Sequence, residues 1–233
     1  CRKEGNDFYK DYFIKHRTKK VFITSKLATS KDYFISKRNN DWITNSYSRG
    51  RVHLLRANHD AILTTSKTVL KDNPTLNCRI DGLEKFSPTR FILDKNLKIR
   101  PKSKILNVSS KFKTYVFYNR PNFIKIRKLK KLNINAVRIE LKDNKLDFEK
   151  IVAFIRSKGF YRIFVEAGVV FNNYLLKNNY INEFYHFYSN DLLGKMGLNS
   201  GKSLLRKVNK LKKNKKKINV NLYEDKLVKY LLK

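Results

Sequence analysis

Residues 148–188 read FEKIVAFIRSKGFYRIFVEAGVVFNNYLLKNNYINEFYHFY, and this stretch decides the fold class. Phe148, Ile151, Val152 and Ile155 recur at three- and four-residue intervals, the spacing of one apolar helix face. Arg162-Ile163-Phe164-Val165-Glu166 follows as a strand, because β-branched and aromatic side chains suit a pleated, buried surface. Phe171 to Leu176 then reads as a helix and Glu183 to Tyr188 as an alternating strand. Strands separated by helices predict an α/β chain with a mostly parallel central sheet flanked by helices, since parallel neighbours need a crossover between them.

The pattern extends outward in both directions. Val21 to Ala28 predicts a buried strand, and a polar loop over 29–40 leads to Trp42-Ile43-Thr44. Asn45 or Ser46 is placed to cap a helix carrying Val52, Leu55 and Ala57. Ala61 to Thr65 predicts a short strand that runs into Ser66–Pro74, where the proline marks an irregular segment. Phe91 to Asp94, Thr114 to Tyr118 and Ala136 to Ile139 predict further strands. Arg206 to Lys217 carries eight basic residues in twelve positions and predicts a solvated loop or edge strand, its place between core elements favouring a loop. Ile218 to Leu222 alternates and predicts the strand that returns the chain to the sheet. Before all of this, Phe8, Tyr9, Tyr12 and Phe13 give residues 1–19 the spacing of a short helix followed by a basic linker.

At 233 residues, with no internal repeat and no second core, the chain fits one large domain. The hydrophobic share of 41%, with 16 Phe and 13 Tyr, is enough to bury a core, which excludes wholesale disorder. Against 19 Asp and Glu stand 53 Lys and Arg, a formal net charge of +34. Such a charge has two readings: clustered cations that release counterions from a polyanion, or lysine gathered on a solvated surface by compositional drift. Lys, Asn and Ile, all with AT-rich codons, are abundant together, which favours drift; composition alone does not separate the two.

Other classes drop out on chemistry. Cys1 and Cys78 form neither a disulfide framework nor a zinc site, and they suit a reducing, cytoplasmic setting. No apolar run reaches the roughly 18–20 residues that span a membrane. His16, His53, His59 and His186 fall in no metal-binding spacing, so no metal is expected on this chain. With eight glycines there is neither a dinucleotide-binding glycine turn nor a phosphate-binding loop, so any nucleotide is held in another way.

Three clusters remain, each at a strand end, where an α/β sheet places ligands. They are Lys26 followed by Trp42; Arg56 through Asp72 to Arg79; and Phe164-Val165-Glu166-Ala167-Gly168, a strand that delivers a carboxylate to a glycine turn before a helix N-terminus. Taken singly, each also reads as a strand, a turn and a capped helix. In order they give S-K-L-A-T-S, D-W-I-T-N, R-x-x-V-H-L-L-R-A-x-x-D-A-I-L-T, T-V-L-x-D-N-P-T-L-N-C-R, P-T-R-F-I-L-D and V-E-A-G.

That series resembles the reductase domain of the bacterial bifunctional riboflavin-biosynthesis deaminase/reductase family, RibD. The resemblance runs from about Lys20 to a final strand near Leu227 and includes a D-L-L-G turn at Asp191–Gly194. It implies a dihydrofolate-reductase-like fold over 20–233 that binds NADPH without a glycine-rich motif. The implied reaction reduces 5-amino-6-(5-phosphoribosylamino)uracil to the ribitylamino compound, hydride passing from the nicotinamide to ribose C1′ through a ring-opened imine.

Carried over position by position, the resemblance implies Lys26 and Asp72 nearest the reacting centre. It implies Thr29, Trp42, Thr68, Asp72, Gly168, Val169, Val170, Phe171 and Asn172 as cofactor contacts. Asn40, Arg56, Leu76, Arg79 and Glu166 match substrate contacts, the two arginines gripping the 5-phosphate. The chain departs from the family where S-L-D-G-R is replaced by Ser30-Lys31-Asp32-Tyr33-Phe34, which loses a turn glycine, and where a serine is Asn40 and an alanine is Thr29. Cys1-Arg2-Lys3-Glu4 with Asn6-Asp7-Phe8-Tyr9 resembles the junction after a zinc deaminase domain, so 1–19 is expected to be that junction and any zinc to belong upstream. A homodimer is expected, a nucleic-acid or membrane partner is not. The competing functions are a lysine-rich RNA-binding module and a degenerate reductase kept as a scaffold.

Overall fold

Phe22–Thr29 (FITSKLAT) is almost wholly apolar, β-branched or small, and as strand β1 it is covered on both faces. The structure, a computed structural model, describes residues 20–38 and 42–233; the helix expected within 1–19 lies outside the described residues. The chain continues through β2 (Phe34–Lys37), α1 (Ser46–Ala57), β3 (Ala61–Thr65), α2 (Ser66–Asp72), β4 (Thr89–Leu93), α3 (Lys104–Asn107), β5 (Thr114–Tyr118), α4 (Phe123–Lys131) and β6 (Ile134–Arg138). It then forms a small hairpin, β7 (Leu141–Lys142) and β8 (Lys145–Leu146), α5 (Phe148–Ser157), β9 (Arg162–Glu166), α6 (Val169–Lys177) and β10 (Glu183–Tyr188). The last elements are β11 (Gly197–Ser200), α7 (Lys202–Leu211), β12 (Asn214–Lys217) and β13 (Lys226–Leu231).

Nine strands of the described residues make one sheet in the order β12-β13-β10-β1-β9-β3-β4-β5-β6. Every pairing from β10 to β6 is parallel; β13 runs antiparallel to β10 and to β12. The mostly parallel sheet flanked by helices, expected from 148–188, is present. Alternate residues of each strand feed two cores. Ile23, Leu63, Phe91, Phe117 and Val165 meet Ile151 and Ile155 of α5, Leu175 of α6 and Leu204 and Val208 of α7 on one face. Ile62, Ile92, Val116 and Phe164 meet Leu55, Val69, Ile105 and Leu129 of α1 to α4 on the other. Each such fully buried aliphatic or aromatic side chain contributes roughly 1.5–3 kcal/mol relative to exposure, so the two faces hold the sheet between them.

Local signals set the helix limits. Of the two expected caps, Asn45 or Ser46, it is Asn45 that accepts from Ser48 N at the start of α1. Ser66–Pro74 is more regular than the sequence suggested: Ser66–Asp72 is a helix capped by Thr65, and only Asn73, in the left-handed region at φ 41°, and Pro74 break it. The C-terminal region also differs. Arg206–Leu211 belongs to α7, whose Leu204, Leu205 and Val208 are buried, and the lysines of Asn214–Lys217 form the edge strand β12. Ile218–Leu222 is not a strand but the connection from β12 to β13, its Ile218 and Val220 resting on the second core. The return to the sheet is made by β13.

Candidate functional site

The parallel strands end together along one edge, and a cleft of about 910 Å³ opens there. β1 contributes Lys26 and β9 contributes Glu166, register partners on adjacent strands whose side chains emerge on the same face. Lys26 Nζ lies 3.5 Å from Glu166 Oε2. Arg56, arriving from the last turn of α1, takes the same carboxylate in a fork: Nε to Oε1 at 2.6 Å and Nη2 to Oε2 at 3.1 Å. Its Nη1 donates to the Asn77 carbonyl at 3.0 Å.

Glu166 is 6% exposed, and burial alone would raise its pKa; Arg56 and Lys26 override this and hold it at about 2. Asp72, at the end of α2, behaves in the opposite way. Its side chain reaches solvent, yet the crowded cleft wall partly desolvates it and so raises its pKa; Glu166 adds to that, against the pull of Lys71 and Lys26. The cleft therefore holds one carboxylate fixed as an anion and a second displaced toward protonation. Among the described residues no ion pair joins Lys26 to Asp72; the lysine is committed to Glu166 instead.

His53, three residues before Arg56 on α1, was singled out by no sequence signal beyond its place in V-H-L-L-R, although three residues is one helix turn. Its Nδ1 lies 3.1 Å from the Asn77 carbonyl, 3.2 Å from the Arg79 backbone nitrogen and 3.4 Å from Arg56 Nη1. Burial and the charges of Arg56 and Arg79 lower its pKa to about 4, so the ring is neutral and packs between the Asn77 and Arg79 backbones. The Arg79 side chain is exposed to the cleft and donates to Thr75 Oγ1 at 2.8 Å.

Gly168 caps the start of α6 without a side chain, so the first amides of the helix have no side-chain acceptor, and Val169, Val170 and Phe171 line the cleft. A Cβ added at Gly168 would meet nothing within 4 Å, so the space beside this turn is open. The arrangement suits an anionic diphosphate. Trp42, 67% exposed, borders the cleft with Arg49 stacked on it at 5.1 Å, and Thr68 lines it from α2. Lys67, Lys95 and Lys145, named by no motif in the sequence, add positive charge; Lys95 Nζ donates to the Asn144 carbonyl and side chain at 2.7 and 2.6 Å.

Of the residues expected at the site, Lys26, Trp42, Arg56, Thr68, Asp72, Leu76, Arg79, Glu166, Gly168, Val169, Val170 and Phe171 line this one cleft. Leu76 does so as a nearly buried floor residue at φ 56°. Two of the expected cofactor contacts do not reach it. Thr29 is fully buried and spends its hydroxyl on His186 Nε2 at 2.9 Å. Asn172 is fully buried as well; its amide donates to the Ala167 and Gly168 carbonyls at 2.9 and 3.3 Å while its oxygen accepts from Ser25. Arg56 is placed at the site, but with its fork on Glu166 rather than open for a phosphate. Asn40 lies outside the described residues. No group of three or more His, Cys, Asp or Glu among the described residues could hold a metal ion, and no helix among them is long and apolar enough to cross a membrane.

The chain is similar to known proteins in sequence and in fold. The RibD C-terminal domain family matches residues 21–221. The riboflavin biosynthesis protein RibD of Aquifex aeolicus is 28% identical over 227 residues, which cover 97% of this chain and 62% of that protein. The 5-amino-6-(5-phosphoribosylamino)uracil reductase of Buchnera aphidicola is 27% identical over 173 residues, 67% of this chain and 79% of that one. Among solved structures, a deaminase and 5-amino-6-(5-phosphoribosylamino)uracil reductase from Thermotoga maritima superposes with a TM-score of 0.74 at 25% identity, covering 99% of this chain and 62% of that one. The riboflavin biosynthesis reductase Rib7 of Saccharomyces cerevisiae shares the fold at a TM-score of 0.71 and 22% identity, over 98% and 99% of the two chains.

Proposed function

The chain belongs to the RibD C-terminal domain family, and on that premise we propose that it reduces 5-amino-6-(5-phosphoribosylamino)uracil to 5-amino-6-(5-phosphoribitylamino)uracil with NADPH. The observation that carries the reading is the arrangement at the strand ends: a lysine paired with a fixed carboxylate, a second carboxylate facing the same cleft, and a helix N-terminus with no side-chain cap beyond them. When bound, the reduced nicotinamide supplies the hydride.

The residues of the chain do the rest. Val169, Val170 and Phe171, at the N-terminus of α6, would offer backbone amides to the cofactor's diphosphate, and Thr68 and Trp42, on the same cleft, would contact the rest of it. Lys67, Lys95 and Lys145 give the cleft the positive charge that favours the extra phosphate of NADPH over NADH. On the substrate side Arg79, exposed and with its backbone against His53, grips the 5-phosphate. Arg56 acts differently, keeping Glu166 ionised and fixed so that Glu166 can accept from the substrate and hold Lys26 in place. Lys26 then donates a proton toward the ribose ring oxygen as the C1′–O bond opens, and Asp72 orients the reacting sugar.

The test is loss of reduced-nicotinamide absorbance when the purified chain meets the ribosylamino-pyrimidine. Turnover that falls at least about a hundredfold in Lys26→Met supports the reading. Absence of turnover in the folded wild-type chain overturns it, and equal use of NADH overturns the cofactor preference.

A further inference from the structure

Arg90 is the largest fully buried side chain among the described residues, at 0% exposure, and it lies outside the cleft on the second residue of β4. Among those residues no carboxylate pairs with it. Its guanidinium is solvated by neutral acceptors: Nη2 donates to the Phe112 carbonyl at 2.8 Å, to Thr114 Oγ1 at 2.6 Å and to the Val108 carbonyl at 3.4 Å, and Nη1 to the Thr75 carbonyl at 3.1 Å. Nε has no hydrogen-bond partner among the described residues, and the Phe112 ring faces the group at 5.3 Å. Burial pulls the pKa down to about 10, so the side chain stays cationic at neutral pH. A charge buried without a counter-ion is costly, and the sheet around it needs none.

Three of the acceptors lie between Val108 and Thr114, the run that leads into β5 and includes its first residue. The fourth, Thr75, belongs to the irregular run after Pro74, where Leu76 is held at φ 56°, an unfavourable conformation for a bulky side chain. Thr75 is held twice, its carbonyl by Arg90 and its hydroxyl by the Arg79 guanidinium at 2.8 Å. We propose that Arg90 is a positioning residue: through the Thr75 carbonyl it clamps the 74–79 loop to the sheet and so fixes where the Arg79 guanidinium points into the cleft.

This rests on the reading of Arg79 as the phosphate grip, and the experiment separates the two. Arg90→Lys keeps the charge and loses the fork. Hydrogen exchange of the Thr75–Arg79 amides should quicken by about tenfold while amides of β4 and β5 stay protected. In turnover assays the variant should raise the substrate KM by about tenfold and leave the NADPH KM within about twofold. In an Arg79→Ala background, Arg90→Lys should add no further rise in substrate KM, because the clamp acts through Arg79. Unchanged loop exchange, or an equal rise in KM with and without Arg79, overturns the proposal. If wild-type turnover is absent, the functional reading falls and loop exchange alone decides the clamp. Should Arg90→Lys not fold, Thr114→Val, which removes one Arg90 acceptor, must loosen the same loop amides to a smaller extent, and unchanged exchange there overturns it.

Discussion

Tyr33 sits at φ 71°, in the left-handed region, at the position where S-L-D-G-R has its glycine. The turn survives the loss of that glycine because its partners are made elsewhere. Ser30 Oγ accepts from Phe34 N, and the Asp32 carboxylate accepts from Leu193 and Gly194 of the D-L-L-G turn. A tyrosine there still carries the steric cost of its Cβ against the carbonyl, so Tyr33→Gly should stabilise the chain by about 0.5–1 kcal/mol in urea denaturation, with turnover unchanged. Glu166 gives the second prediction at this scale. Its folded pKa, about 2, lies below the ordinary 4.5 of an unfolded glutamate, so its contribution is complete above pH 4.5 and is lost as the pH falls toward 2. Wild type should lose on the order of 2–3 kcal/mol across that window relative to Glu166→Gln, read from denaturation curves at pH 7 and pH 3. Equal losses in the two proteins would remove the ion triad as a source of stability.

At the scale of elements, the turn from β9 into α6 shows what a one-dimensional reading reaches and where it stops. Val165-Glu166-Ala167-Gly168 was legible, because a strand, a carboxylate and a small turn residue before a helix are neighbours in sequence. The direction of Asn172 was not. It sits one helical turn after Gly168, and Ser25, which turns it inward, lies on β1 more than a hundred positions away. Thr29 was misplaced for the same reason, its partner His186 being on β10. Asn172→Ala should therefore act through the turn: a stability loss of about 1–2 kcal/mol, with the NADPH KM raised severalfold and the substrate KM little changed. A stability change with no movement in either KM would mean that the turn is held without it. The C-terminal strands show the complementary limit. Ile218, Val220 and Leu222 alternate as a strand would, yet pairing is made by Lys226–Leu231, whose Leu227, Val228 and Tyr230 are buried. Alternation marks burial on one side; only neighbouring strands decide which alternating run enters the ladder.

For the molecule as a whole, the parallel order of the sheet followed from helices and strands alternating across 148–188, while the meaning of the +34 charge did not follow from composition. The structure divides that charge. Arg56 is neutralised locally by Glu166 and Arg90 is sealed in the core, whereas Lys67, Lys71, Lys95, Lys104 and Lys145 surround the cleft mouth. The lysines of β12 are exposed along a sheet edge, where like charges deter pairing with another chain. A low-dielectric cleft rimmed by cations concentrates anions, and both proposed ligands are phosphorylated. Raising ionic strength shortens the screening length from about 10 Å at 0.1 M to about 4–5 Å at 0.5 M, which weakens long-range attraction more than contact pairs. The KM values for NADPH and for the pyrimidine should both rise by about threefold to tenfold between 0.05 and 0.5 M potassium chloride, while kcat stays within about twofold. The proposed contact of Arg79 with the 5-phosphate should persist, so Arg79→Ala should lower kcat/KM by a similar factor at either salt concentration. If kcat falls with salt instead, the cations act on the reacting groups themselves; if neither constant moves, the rim lysines are only solvated surface.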